Sequence, residues 1–169
     1  RGFGFQNLEA RIRATPDTPY PIADVSQTVA AVLVLQCIEQ RRLGLDEPIR
    51  RYGAAVPASG ATVRQILSHT SVDGSGETFQ YDPARYAQLT PVVESCLPQP
   101  YRKSIAVNVL ERLAMRDSVP GRDLVDASAL TERLFADDIL ERYRKVLERI
   151  AVPYKVDKDA KSDGIKVAL

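Results

Sequence analysis

Residues 26–43 read SQTVAAVLVLQCIEQRRL, and this stretch decides the fold class. Its pattern is helical and apolar on nearly every side, so we predict a helix that is buried on most sides. Gly44 follows directly and is typical of the residue that ends a helix. The longest apolar run within it, Val29 to Cys37, is far shorter than the roughly 20 residues of a membrane-spanning helix.

Further helix signals lie on the C-terminal side of this stretch. Thr62-Val63-Arg64-Gln65 has the spacing of a capping box, and Asp82-Pro83 places an N-cap before a proline at the first helical position. The helix that starts there should break near Pro91. Another helix follows Pro100, and the clearest amphipathic pattern runs from Ile139 to Ile150.

The remaining segments are less regular. Residues 1–23 are predicted to be an extended N-terminal segment, residues 24–154 a helical lobe, and residues 155–169 a polar, frayed tail. The sequence therefore predicts a mostly α chain with a short extended N-terminal segment.

Composition excludes several classes of protein. The chain has 169 residues with 23 basic and 22 acidic side chains, giving a net charge of +1. An ordinary globular domain fits this composition, whereas wholesale disorder does not. Because no strong positive field is expected, nucleic acid and anionic membrane surfaces are not predicted partners.

Cysteine and histidine are scarce. Cys37 and Cys96 could form one disulfide bond or none, and the apolar run around Cys37 favours a buried free thiol. His69 is the only histidine, and no metal-ligand spacing is present. We therefore predict neither a metal nor a cofactor.

Five blocks of sequence, taken in order, resemble motifs of the serine β-lactamase and penicillin-binding protein superfamily, in the branch of class C β-lactamases, D-Ala-D-Ala carboxypeptidases and esterases. The blocks are Ile22-Ala23-Asp24-Val25-Ser26-Gln27, Arg42-Leu43-Gly44-Leu45-Asp46-Glu47-Pro48, residues 62–71, Phe79-Gln80-Tyr81-Asp82-Pro83 and Leu113-Ala114-Met115-Arg116-Asp117-Ser118. This resemblance implies the helical lobe of a β-lactamase-like α+β fold. It also implies hydrolysis of a β-lactam, a D-Ala-D-Ala peptide or an ester through an acyl-serine.

The resemblance also identifies the family's catalytic positions, and most of them are altered. The nucleophilic serine falls on Asp24 and the lysine on Gln27, while Tyr81 is kept and the asparagine after it falls on Pro83. Acylation needs a hydroxyl and a base that takes its proton, and an amide cannot act as that base near neutral pH. The implied catalytic positions Asp24, Gln27 and Tyr81 are therefore degenerate.

Each of these residues also has a structural interpretation. Asp24 and Gln27 have the spacing of a capping box at the start of the buried helix. Ser26 fits a polar residue of the first helical turn. Tyr81 fits a packed tyrosine, and His69 a loop histidine that bonds the backbone.

Two functions from different classes stay open at this point. The chain is a serine hydrolase relative that has become catalytically inactive, or it is a non-catalytic binding or structural module, including an engineered fragment of such an enzyme. The resemblance implies that most of the family's antiparallel sheet lies beyond residue 169, and an apolar face that this sheet would cover favours self-association. Relatives are often periplasmic or extracellular, and no signal peptide opens this chain, so the compartment is undecided.

Overall fold

The computed structural model describes residues 1–53, 60–71, 76–125, 134–156 and 165–167. The chain forms two compact units. One comprises Ala23–Met115, and the other combines Arg1–Ile22 with Arg116–Leu169. The predicted helical lobe of residues 24–154 is thus not one unit, because residues from Arg116 onward pack with the N-terminal segment.

The regular elements of the Ala23–Met115 unit are helical in its described residues, apart from one isolated bridge between Pro48 and Thr62. Its α-helices are α1 (Ser26–Glu39), α2 (Val63–Leu67), α3 (Pro83–Tyr86), α4 (Leu89–Cys96) and α5 (Tyr101–Ile105). A 3-10 turn at Ala23–Val25 precedes α1, another covers Ile49–Tyr52, and a π-helical segment, Ala106–Glu111, continues α5.

Helix α1 begins at Ser26, as predicted, and ends four residues before the predicted Leu43. The early end has a backbone cause, since Arg41 has a φ of 59°, a left-handed conformation that α-helix cannot include. The prediction of burial on most sides was also wrong in part. Ala30, Leu33 and Val34 are buried, but Leu35 is 50% exposed.

The core of this unit forms where α1 packs against α4. Leu33, Val34, Val92 and Val93 are fully buried there. Cys37 of α1 and Cys96 of α4 form a disulfide bond with their Cα atoms 6.1 Å apart. The predicted free thiol is therefore wrong. Packing of the two helices brings together cysteines that are 59 residues apart in sequence, which composition alone does not reveal.

The helix starts predicted from Thr62 and from Asp82 are confirmed. Thr62 and Gln65 form a reciprocal capping box, in which the Thr62 hydroxyl accepts from the Gln65 backbone N–H. The Asp82 side chain accepts from the backbone N–H of Arg85, with Pro83 at the first helical position. The predicted break near Pro91 is also present, because α3 ends at Tyr86 and Pro91 lies in the first turn of α4.

The described residues of the second unit include two short antiparallel strand pairs, a 3-10 turn at Arg122–Val125 and an α-helix. Strands β1 (Phe5–Asn7) and β2 (Ile12–Arg13) pair antiparallel, as do β3 (Tyr154–Val156) and β4 (Ile165–Val167). Helix α6 (Asp137–Leu147) carries the predicted amphipathic pattern, with Leu140, Tyr143 and Val146 buried. The hydroxyl of Tyr154 accepts from the backbone N–H of Leu8, which ties β3 to the N-terminal segment.

The predicted frayed tail of residues 155–169 is wrong for the residues that are described. Residues 155–156 belong to β3 and pair with residues 165–166 of β4. Tyr-Lys-Val and Ile-Lys-Val each alternate apolar and polar side chains, and this strand pattern was hidden by the charged residues between them. Residues 157–164 and 168–169 lie outside the described residues. Taken together, the elements confirm the predicted mostly α fold class.

Candidate functional site

Asp24 does not cap α1, contrary to the sequence-based interpretation. It lies inside the 3-10 turn Ala23–Val25, and Val25 occupies the N-cap position without a side-chain hydrogen bond. Ala23 has a φ of 41°, and this left-handed residue turns the chain immediately before Asp24. The Asp24 carboxylate instead lies near the hydroxyl of Tyr81 and helps to raise the pKa of that hydroxyl.

Gln27 lies one helical turn further on and joins two segments of the unit. Its amide Nε2 donates to Tyr81 Oη at 2.8 Å, and its Oε1 lies 3.0 Å from His69 Nε2. Its backbone carbonyl accepts from the hydroxyl of Tyr86 at 2.9 Å. Both polar ends of the Gln27 side chain are therefore engaged, and the predicted capping role is absent.

The partners of His69 define its tautomer. Because Gln27 Oε1 can only accept, His69 Nε2 carries the proton. His69 Nδ1 then accepts from the backbone N–H of Asp82 at 3.2 Å. The ring packs among three aromatic side chains, with centroid distances of 5.0 Å to Tyr86, 4.7 Å to Tyr81 and 5.9 Å to Phe79.

These contacts form a chain that leads to Asp24. The Asp82 backbone donates to His69, His69 to Gln27, and Gln27 to Tyr81, whose hydroxyl lies near the Asp24 carboxylate. We call Asp24, Gln27, His69 and Tyr81 the Asp24 relay. Its only formal charge lies at Asp24, so the relay ends in an acceptor rather than in an activated nucleophile.

Tyr81 of the relay and two nearby tyrosines, Tyr86 and Tyr101, are held in their protonated form. Desolvation is the main cause that raises the pKa of Tyr81, and the hydrogen bond to Asp24 and its negative charge add to it. Burial raises the pKa of Tyr86 and, together with the neighbouring Tyr86, that of Tyr101. None of these hydroxyls is therefore poised to act as a base near neutral pH.

The raised tyrosine pKa values predict alkaline destabilisation. A group whose pKa is higher in the folded state contributes stability that is fully present below its unfolded pKa, near 10 for tyrosine, and lost as the pH rises through the folded pKa. We expect the free energy of unfolding to fall above pH 10. Urea unfolding at pH 8 and at pH 11 measures the loss, and absorbance at 295 nm should show tyrosine ionisation accompanying it. Equal stability at both pH values would contradict the assignment.

A cavity of about 250 Å³ opens beside the relay. Asp24, Ser26, Gln27 and Thr90 supply its polar lining. The remaining wall is apolar or aromatic and consists of Ala30, Pro83, Tyr86, Ala87, Leu89 and Tyr101. The cavity thus carries one acidic side chain and no basic one.

The structure brings together some of the residues that the sequence analysis selected. The structure brings Asp24, Gln27 and Tyr81 together, as alignment to the family's motifs implies. Pro83, at the position of the family's asparagine, lines the cavity. His69 was expected to bond only the backbone, and its bond to Gln27 was missed because it joins residues 42 positions apart.

The described residues also bear on metal binding and on membrane insertion. Within these residues, no group of three or more histidine, cysteine, aspartate or glutamate side chains is placed to hold a metal ion. Across the same part of the chain, no helix combines the length and apolar character needed to cross a bilayer.

Comparison with known proteins identifies the family. The family model described as Beta-lactamase matches residues 1–134. A curated relative, Protein flp of Staphylococcus aureus (strain NCTC 8325 / PS 47), is 21% identical over 152 residues, which cover 68% of this chain and 30% of that protein. The chain therefore spans less than a third of the curated relatives it matches.

Solved structures share the fold. An octameric penicillin-binding protein homologue from Pyrococcus abyssi superposes with a TM-score of 0.71 at 21% identity, covering 95% of this chain and 42% of that one. The D-amino acid amidase from Ochrobactrum anthropi SV3 superposes with a TM-score of 0.69 at 16% identity, covering 97% of this chain and 51% of that one. The family model matches most of the length of this chain, and the chain therefore belongs to the beta-lactamase family.

Proposed function

We propose that this chain is a non-acylating member of its family, a pseudoenzyme lobe that binds a small molecule without forming a covalent intermediate with it. One observation carries the proposal. The two residues at the family's nucleophile and lysine positions, Asp24 and Gln27, are both tied into the Asp24 relay.

The chemistry of the relay supports this proposal. Acyl transfer needs a nucleophile whose proton a neighbouring base can remove. Gln27 has no basic atom, and desolvation together with the charge of Asp24 raises the pKa of Tyr81 and keeps its hydroxyl protonated. Attack by the Asp24 carboxylate on an amide or ester would produce an anhydride, and the imidazole of the relay, His69, has its acceptor nitrogen occupied by the backbone N–H of Asp82.

Neighbouring serines do not replace the missing nucleophile. Ser26 lines the cavity, but the side chain three residues beyond it is Val29, so the Ser-x-x-Lys spacing is not met. The Ser68 hydroxyl donates to the Arg64 carbonyl at 2.9 Å, which places it in the capping of α2. Neither hydroxyl has a base positioned to activate it.

The test is a search for turnover and for a covalent adduct. We expect no hydrolysis of a chromogenic β-lactam or of an activated ester above the buffer rate, and no increase in protein mass after incubation with either reagent. The Ser26→Ala variant is the matched control, because an adduct that appears in the parent and disappears in this variant would identify Ser26 as a nucleophile. Any adduct accompanied by turnover would overturn the proposal.

A second candidate function, self-association, rests on the outer face of α1. Val25, Val32 and Leu35 lie within about a third of the helix circumference and are 62%, 44% and 50% exposed. Apolar stripes of this kind favour protein contacts. The octameric state of the penicillin-binding protein homologue from Pyrococcus abyssi offers a precedent.

Light scattering at increasing concentration tests this candidate. We expect the mass to rise above that of one chain, and Leu35→Glu to return it to the single-chain value. Glu39→Gln, at the end of the same helix, is a control that should leave the mass of the assembly unchanged. A single-chain mass at every concentration would exclude self-association.

The disulfide bond supports a proposal about the compartment. Disulfides persist in oxidising surroundings and are rare in the reducing cytosol. The Cys37–Cys96 bond therefore favours an extracytoplasmic location.

A further inference from the structure

The cavity beside Asp24 has a charge pattern that selects one class of ligand. Asp24 is the only acidic residue in its lining, and no lysine or arginine lines it. None of the ion pairs formed by the described residues includes Asp24. A carboxylate has about four acceptor positions, so Asp24 keeps capacity for further donors beside the neighbouring Tyr81 hydroxyl.

The rest of the lining suits a small apolar group. Leu89 and Ala30 are buried at 1% and 5% exposure, and Tyr86 and Tyr101 add aromatic surface. A volume of about 250 Å³ is below the range of pockets that hold drug-sized ligands. The ligand that fits is therefore small and carries a short apolar group.

Polar atoms near the carboxylate can assist a charged donor. Ser26 and Thr90 line the same cavity, and a hydroxyl can accept an N–H. An ammonium group has three N–H donors, so Asp24 and these hydroxyls match its hydrogen-bonding needs. An anionic ligand, in contrast, would meet the negative charge of Asp24 with no cation to offset it.

We propose that this cavity binds a small organic cation, a primary amine with a short apolar group, whose ammonium pairs with the Asp24 carboxylate. The inference rests on the proposed function, because it requires the cavity to act as a non-covalent binding site. The pocket can still bind a ligand although the family's serine and lysine are replaced. The Asp24 carboxylate changes which ligand charge the pocket accepts.

Three probes of similar shape test the role of charge. Benzylammonium, benzyl alcohol and benzoate are titrated into the folded chain while the backbone amide NMR signals of Ala87 and Thr90 are followed. We expect benzylammonium to bind more tightly than benzyl alcohol by on the order of fivefold, as for an exposed ion pair. Benzoate should not shift these signals. Added salt should weaken the binding of the amine and leave that of the alcohol unchanged.

Variants test whether the Asp24 carboxylate causes the preference for the amine over the alcohol. Asp24→Asn should remove the preference for the amine over the alcohol, whereas Asp17→Asn, which alters an exposed carboxylate of the other unit, should keep it. Tyr81→Phe should retain the preference, since it leaves the Asp24 carboxylate in place. Equal affinity for amine and alcohol, salt-independent binding of the amine, or tighter binding of benzoate would overturn the inference.

The outcomes separate this inference from the proposed function. If neither an acyl adduct nor amine binding is observed, the inference about the amine is wrong and the proposed function is unaffected. An acyl adduct would remove the proposed function, whatever the amine does.

Discussion

Cys96→Ser should lower the free energy of unfolding by about 4 kcal/mol, the loss expected when a cross-link that closes a loop of 59 residues is removed. The bond joins α1 to α4 through the core of the Ala23–Met115 unit, so the unfolded chain gains freedom when it is cut. Urea unfolding of the oxidised chain and of the variant measures the difference.

Two controls separate the covalent bond from the side chains. Dithiothreitol should destabilise the parent chain by a similar amount and should have no effect on the double variant Cys37→Ser/Cys96→Ser. The unreduced, denatured parent should contain no titratable thiol. Two free thiols in that assay, or equal stability with and without reductant, would refute the prediction.

The disulfide shows how far the sequence could predict the fold. Local signals were sufficient for the start of α1 and for the capping box at Thr62, because the residues that decide them are adjacent in sequence. The partner of Cys37 depends on which helix packs against α1, and no local pattern encodes that choice. The end of α1 was misplaced for another reason. Arg41 takes a left-handed conformation that its sequence context does not signal.

The candidate site shows the same difference between local sequence signals and contacts that depend on the fold. Alignment to the family's motifs selected Asp24, Gln27 and Tyr81, and the structure brings the three together. The capping interpretation of Asp24 and Gln27 was wrong because the 3-10 turn at Ala23–Val25 moves the helix start to Ser26 and leaves both side chains free to meet Tyr81. His69 was assigned only backbone bonds, since nothing near it in sequence indicates contact with Gln27.

His69→Ala should lower the free energy of unfolding by about 2 kcal/mol, because it removes aromatic contacts and two hydrogen bonds together. The ring packs on Tyr86 and Tyr81, and its nitrogens bond the Gln27 side chain and the Asp82 backbone. Position 69 also has a φ of 55°, a region that histidine and asparagine adopt more readily than alanine. Urea unfolding gives the stability, and the side-chain amide NMR signal of Gln27 reports whether the Asp24 relay has lost its order.

Two substitutions distinguish the relay from the loop around it. His69→Asn keeps the tolerance for positive φ and supplies an amide, so it should recover part of the lost stability without restoring the ring contacts. Gln80→Ala, which removes an exposed side chain from the neighbouring loop, should change stability by less than about 0.5 kcal/mol. If His69→Ala proved as stable as Gln80→Ala and left the Gln27 signal unchanged, His69 would not hold the relay together. Gln27 and Tyr81 would then keep their positions through contacts of their own, and the relay would be two separate hydrogen-bonded pairs.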